Sequence, residues 1–217
     1  PVVDNKKKLT GRITVDEMLD VIREESEADM LNMAGLKEEE DWFAPIIDSF
    51  KNRWMWLVIN LCTAFVASRV IGMFEGSIEK IVALAALMPI VAGIGGNSGN
   101  QTITMIVRSL AMGQLNLSQS GRLLRKELGV ALLNGIIWGS VMGVVSYLLY
   151  GSIGIGLVMV TAMTLNLVLA ATMGVLIPVI MEKFGRDPAL GSSVLITAVT
   201  DSGGSMIFLG LATIFLL

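Results

Sequence analysis

The chain has 217 residues, 53% of them hydrophobic and 16% charged, with a formal net charge of −3 and a mean hydropathy of +0.71. That is too apolar for one ordinary soluble domain and points to a membrane protein, while the acidic balance excludes an electrostatic nucleic-acid binder. Thirteen of the nineteen acids precede residue 50, so a polar, acidic N-terminal segment leads into an apolar remainder. There is no histidine, and the single cysteine, Cys62, falls in an apolar run where it suits a small packing role and forms no internal disulfide. The chain opens on charged and turn-forming residues without a secretory signal. It also opens on Pro1 rather than Met, which points to a piece of a longer protein.

Residues 1–25 begin with a short apolar run and a Lys-rich turn, followed by Leu9 to Val15, a pattern that predicts a hairpin. Thr14 then caps a helix, with Glu17 three residues on as its capping-box partner, and Val15, Met18, Leu19 and Ile22 form the helical apolar face. This unit is too small to bury a core of its own and reads as the end of a larger soluble domain. Residues 26–52 form an acidic connecting segment. Residues 24–48 hold nine acids, among them Glu38, Glu39, Glu40, Asp41 and Asp48, against the single base Lys37. Such a run serves either as a solvated face or linker or as a cation-sensing surface whose carboxylates repel unless metal screens them. Pro45 and the Trp42-Phe43 pair place part of it along a membrane surface. Lys51, Arg53, Trp54 and Trp56 mark entry into the bilayer.

Residues 53–217 read as five membrane spans, at about 54–74, 80–111, 127–150, 153–181 and 188–217, and hence as an all-α membrane fold. The loops between the first and second and between the third and fourth spans carry only Lys80. The opposite side holds Lys51, Arg53, Arg122, Arg125, Lys126, Lys183 and Arg186. The positive-inside rule therefore puts the N-terminus in the cytoplasm and the C-terminus outside.

Two spans are unusual. In the second, Pro89, Gly93, Asn97, Asn100 and Thr104 step along one face through the core AGIGGNSGNQT. Its amides are costly in lipid unless they face protein or water. Glycine-rich backbone also bares carbonyls that suit hard cations or their waters. The Gly95/Gly99 pair fits helix packing, but packing leaves Asn97, Asn100 and Gln101 without a role. In the fifth, Asp201 is the only charge between Pro188 and Leu217, and an ionised carboxylate there costs roughly 3 kcal/mol. With no cationic side chain near the middle of any span, its partner comes from outside the chain: a cation, a proton or a second copy. Ser193, Thr197, Asp201 and Ser205 recur every four residues on one face, flanked by Thr200 and Gly204. The stripe reads as an oxygen-lined path for a hard cation, or, for the hydroxyls alone, as back-bonding and close packing.

The third span carries Gly135, Gly139 and Gly143 at intervals of four, a small-residue packing face. Asn134 and Asn166 read as interhelical hydrogen-bonders, Pro178 as a kink, and the scattered methionines as adaptable filler.

PIVAGIGGNSGNQ in the second span, KELGVALLNG in the third and FGRDPALGSSVLITAVTDSGG in the fifth resemble the MgtE family of bacterial magnesium channels. GRITVDEMLDVIREE is similar to the end of a CBS-type regulatory module, whose larger part, with the family's N-terminal sensing domain, lies outside this sequence. The resemblance implies a homodimer in the bacterial inner membrane, with a pore on the two-fold axis lined by the second and fifth helices. It implies Mg2+ as the ion moved into the cytoplasm and as the regulator, with Mn2+ or other divalent ions as further candidates. Asp201 becomes the pore carboxylate that holds hydrated Mg2+. Pro89, Gly93, Gly96, Asn97 and Asn100 become lining residues together with Ser193, Thr197, Thr200, Gly204 and Ser205. Asp187, in GRDPA, matches an acid on the cytoplasmic side that helps hold the connecting helix, and Glu38 to Asp41 with Asp48 become regulatory acids.

The chemistry agrees with that implication, because magnesium dehydrates reluctantly and is usually held by one or two carboxylates and several waters. No catalytic residues are expected. The competing functions are a sodium- or proton-coupled divalent exchanger and, remotely, a membrane aspartyl hydrolase. Asp187 and Asp201 lie roughly 21 Å apart along one helix and make no dyad within a subunit.

Overall fold

The structure, a computed structural model, describes residues 1–36, 43, 45–115 and 120–217. Strands β1 (Val2–Val3) and β2 (Leu9–Gly11) pair antiparallel, with Val2 opposite Gly11 and Val3 opposite Leu9. Asp4 Oδ1 accepts from the backbone N–H of Lys6 at 2.8 Å and of Lys8 at 2.9 Å, so the side chain closes the turn as an Asx motif. The second strand stops short of the predicted Leu9–Val15 run because Thr14 is committed to the helix that follows.

That helix, α1 (Val15–Met33), opens on a complete capping box. The Thr14 N–H donates to Glu17 Oε2 at 2.6 Å, and the Thr14 hydroxyl accepts from the Glu17 N–H at 3.3 Å. The bond from the Thr14 backbone, followed by that from its hydroxyl, holds the Glu17 carboxyl below the usual glutamate value. The helix runs on past residue 25. Its apolar face of Val15, Met18, Leu19 and Ile22 is exposed, while its far end, at Asn32, is buried.

The remaining helices are α2 (Ile46–Gly72), α3 (Glu75–Lys80), α4 (Ala83–Ala111), α5 (Ser120–Tyr150), α6 (Ile153–Lys183) and α7 (Ser192–Leu216). Among the described residues, α2, α5, α6 and α7 are long and apolar enough to cross a membrane. Helix α4, with 29 residues, is about 43 Å long, but Asn97, Ser98, Asn100, Gln101 and Thr102 dilute its hydropathy. Helix α4 matches the predicted second span at about 80–111, starting at Ala83; before it, Ile81 leaves helical geometry (φ −130°, ψ 81°) and separates α4 from the short α3. Helix α5 starts earlier than the predicted 127. Helices α4 and α6 continue through Pro89 and Pro178.

Small residues set how the helices approach. Gly151, at φ +66°, turns α5 back into α6, and Ser152 caps the new helix through the Ile155 N–H at 3.4 Å. Gly135, Gly139 and Gly143 of α5 then lie against Thr164, Val160 and Gly156 of α6, the packing face expected from their spacing. Helices α4 and α6 run parallel, with Gly95 beside Asn166, Gly99 beside Ala170 and Gly174 beside Thr102. Helix α7 runs antiparallel to α4, with Thr200 beside Gly96 and Ile196 beside Gly99. The main core joins these three helices through Leu84, Leu87 and Val91, Met159 and Met163, and Phe208 and Leu209. Helix α2 packs on α7; Ala67 is its one buried residue among those described, and its exposed apolar side chains are left for lipid.

Two outcomes are expected. A Cβ at Gly135 would meet Thr164 Cα at 2.7 Å, and backbone yields poorly. Gly135→Val should therefore cost about 1–3 kcal/mol, read as a lower melting temperature in detergent. For the capping box, a depressed folded pKa means that its stabilisation is complete above the ordinary glutamate value of 4.5 and fades as pH falls through the lower folded value. NMR titration should place Glu17 below the ordinary glutamate value, and Thr14→Ala, which removes the hydroxyl bond but keeps the backbone one, should move it part of the way back.

Candidate cation path

The N-terminal end of α7 is held by its surroundings. Gly191, left-handed at φ 67°, precedes the helix, and its N–H donates to the Asn32 carbonyl at 3.1 Å. Asp187 Oδ1 accepts from the Ala189 N–H at 2.8 Å, and Asp187 Oδ2 accepts from Asn32 Nδ2 at 3.5 Å. The Trp56 ring of α2 covers both Gly35, at the end of α1, and Gly191, leaving no room for a Cβ at either. Asp187 thus joins the end of α1 to the start of α7. Asp48 lies exposed in the first turn of α2. Glu38, Glu39, Glu40 and Asp41 lie outside the described residues.

Along α7 the sequence stripe divides. Ser193, Thr197 and Asp201 are partly exposed, on a side that no other helix of this chain covers completely. Thr200, Gly204 and Ser205 are buried. Thr200 Oγ1 donates to the Ile196 carbonyl at 2.9 Å, and Thr197 to the Ser193 carbonyl at 2.8 Å, the back-bonding expected of helical hydroxyls. Asp201 has no hydrogen-bond or ion-pair partner among the described residues. Half-buried in an apolar helix, it is an acid whose charge none of the described residues compensates.

Helix α4 presents a matching face. Pro89, Gly93, Asn97 and Thr104 are exposed and Asn100 is half-buried, with the Asn100 Oδ1 atom enclosed and unpaired. Asn97, Asn100, Gln101, Thr104 and Met105 line a groove of about 660 Å3 that ends at Arg108. Gly96 turns the other way, against Thr200. The structure therefore groups Pro89, Gly93, Asn97 and Asn100 on an open face of α4, beside the helix that carries Ser193, Thr197 and Asp201. Gly96 and Thr200 instead meet in the packed seam between those two helices, Gly204 lies against Asn166 of α6, and Ser205 is buried.

Asn166 carries more of this geometry than its place in the sequence announces. Fully buried on α6, it inserts between Gly95 of α4 and Gly204 of α7. Its Nδ2 donates to the Val91 carbonyl at 2.7 Å, and its Oδ1 has no partner. Its signal in the sequence is a lone amide in an otherwise apolar span, a pattern equally consistent with any interhelical bond. Arg108, which nothing in the sequence pattern singles out, also borders the α4 groove.

Among the described residues no three acids, histidines or cysteines gather to hold a metal. A single carboxylate with amide and hydroxyl oxygens around it handles a cation through its water shell. A bundle of apolar helices around an uncompensated carboxylate and an amide-lined face defines a polytopic membrane protein of the ion-transport class. The sequence model of the MgtE family, a divalent cation transporter, matches residues 88–211, more than half the chain, and the chain belongs to that family. Membership places it among transport proteins and not among enzymes. The match takes in α4 to α7 nearly whole and ends short of the hairpin, α1 and α2.

Curated relatives extend the likeness over the whole chain. The chain is 34% identical over 223 residues to the magnesium transporter MgtE of Thermus thermophilus, 32% over 216 residues to that of Enterococcus faecalis and 30% over 216 residues to that of Bacillus subtilis. In each case all of this chain and 48% of the relative is covered. The chain thus spans about half the length of the curated relatives it matches.

The buried amide yields a direct test. Asn166→Ala removes the bond from α6 to the Val91 carbonyl and leaves a hole between Gly95 and Gly204. It should destabilise the protein by roughly 2–4 kcal/mol, measured as a fall in melting temperature in detergent. Asn134→Ala should change little, because Asn134 is exposed and bonds only its own helix at Val130.

Proposed function

We propose that this chain forms the conducting part of a magnesium transporter, working as a homodimer with the ion path on the two-fold axis. The observation that carries the reading is Asp201, a half-buried, partnerless carboxylate midway along α7, beside the open amide face of α4. Two copies facing across an axis bring two such carboxylates together and supply the missing compensation as a hydrated divalent cation. Helix α4 is then the fifth span: the axis keeps Asn97 and Asn100 away from lipid, which accounts for a span too polar to face hydrocarbon. Magnesium retains its waters, so hydroxyls and amides at water-mediated distance suit it, and one carboxylate per subunit binds weakly enough to let the ion leave. Other divalent ions, Mn2+ among them, are candidates for the same path.

The charge distribution supports an N-terminus in the cytoplasm and a C-terminus outside, in the inner membrane of a bacterium, with Mg2+ moving inward. The hairpin and first helical turns, residues 1–25, serve as the end of a CBS-type module, residues 26–52 as the connecting segment and residues 53–217 as the pore domain. Cytoplasmic Mg2+ on the acids Glu38 to Asp41 and Asp48, with Asp187 as the contact to α1, closes the path. The bonds from Asn32 to Asp187 and Gly191 support that role, since they tie the connecting segment to the pore helix.

Purified protein in liposomes provides the test, with Mg2+ influx measured for wild type and Asp201→Ala at equal dimer content. The variant should lose about tenfold or more of the flux, equivalent to about 1.4 kcal/mol of ion stabilisation, or lose its preference for divalent over monovalent ions. Equal flux and equal selectivity in the two proteins would place the path elsewhere.

A further inference from the structure

Glu127 is an acid that the pore reading does not use. It belongs to α5, one residue beyond Lys126, and its side chain is only 8% exposed. Two groups meet it. The Thr102 hydroxyl of α4 donates to Oε2 at 3.3 Å, and Lys126 Nζ lies 3.5 Å from Oε1 with the lysine side chain itself 62% exposed. Both separations are long for charge-assisted contacts, and an ionised carboxylate offers about four acceptor positions. A solvated lysine at that distance offsets only part of the penalty for burying the charge.

Beside the carboxylate opens a cavity of about 260 Å3, to which α4 contributes Ser98, Gln101 and Thr102 and α5 contributes Lys126, Glu127 and Asn134. Its neutral polar groups are hydroxyls and amides, with no histidine or cysteine. At roughly 30 Å3 per water the volume holds about eight waters, more than the octahedral shell around a magnesium ion needs. Beside the Lys126 ammonium and the Met105 thioether, the wall offers oxygens from Ser98, Gln101, Thr102, Glu127 and Asn134, a donor set that suits hard divalent ions better than soft ones.

We propose that Glu127 anchors a second divalent-cation site, distinct from Asp201, in which a hydrated ion sits between α4 and α5. Gln101 and Met105 line both this cavity and the α4 groove, so the bound ion lies one helix wall away from the amide face and braces α4 against α5 and α6. The choice of a divalent ion as ligand rests on the transport reading; the existence of the site does not depend on where the pore runs.

Crystals of the whole chain grown with Mn2+ as a magnesium surrogate provide the test, through anomalous scattering from the metal in wild type, Glu127→Gln and Asp201→Ala. The expected result is a manganese peak in the Glu127 cavity that survives Asp201→Ala and disappears in Glu127→Gln, with one fewer Mn2+ bound per subunit by titration. Should Glu127→Gln fail to fold, Asn134→Leu blocks the cavity from its exposed wall without touching the carboxylate and should remove the same peak. An empty wild-type cavity, or a peak unchanged in Glu127→Gln or Asn134→Leu, overturns the site. Flux unaffected by Asp201→Ala would sink the pore reading while leaving this result intact.

Discussion

The bundle depends on one polar insertion. Asn166 of α6 enters the space that Gly95 and Gly204 leave between α4 and α7 and bonds the Val91 carbonyl. In a core otherwise built from Leu, Met, Val and Phe, a directional bond fixes which turn of one helix meets which turn of another, something apolar packing does only loosely. In lipid, where hydrophobic attraction between helices is weak, such bonds and close small-residue contacts supply the specificity. The glycines on either side are the condition for it, since a methyl at either position would occupy the amide's place.

From that anchor the polarity of α4 becomes intelligible. One side of the helix packs against α6 and α7 through Gly95, Gly96, Gly99 and Thr102. The opposite side carries Pro89, Gly93, Asn97 and Asn100 and is left open. A polar helix face is unstable in hydrocarbon but stable against water or protein, which is why the amides that make α4 a poor lipid-facing span gather on one side of it. Asp201 belongs to the same arrangement on α7, where the residues around it divide between seam and open face.

The two ends of the chain's polar part meet at one junction. Trp56 closes over Gly35 and Gly191, Asn32 bonds Gly191 and Asp187, and α7 starts from there. Both glycines have positive φ, a conformation that a side chain would strain. The end of α1 and the first turn of α7 are thereby joined through a bulky ring and two hydrogen bonds.

Much of this was legible in the sequence because it rests on local rules. The Thr14–Glu17 capping box, the hairpin turn, the α5 glycine face at intervals of four and the apolar length of α2, α5, α6 and α7 follow from spacing and composition. Asp201 stood out because a lone charge in an apolar run needs no partner list to be conspicuous. Spacing failed where helical neighbours share a stripe but not an environment: Ser193, Thr197, Asp201 and Ser205 are equivalent by period, yet Ser205 is buried and the others are partly open, because the packing around α7 changes along its length. The break at Ile81 carries no glycine or proline to announce it. Asn166 and Glu127 looked ordinary because spacing shows nothing of what the neighbouring helices bring to them. Sequence by itself determined the membrane class, the elements and the charge that seeks a cation. Tertiary structure decided which polar groups are buried between helices, which lie on an open face and which line a cavity, since burial depends on what the neighbouring helices bring to each position.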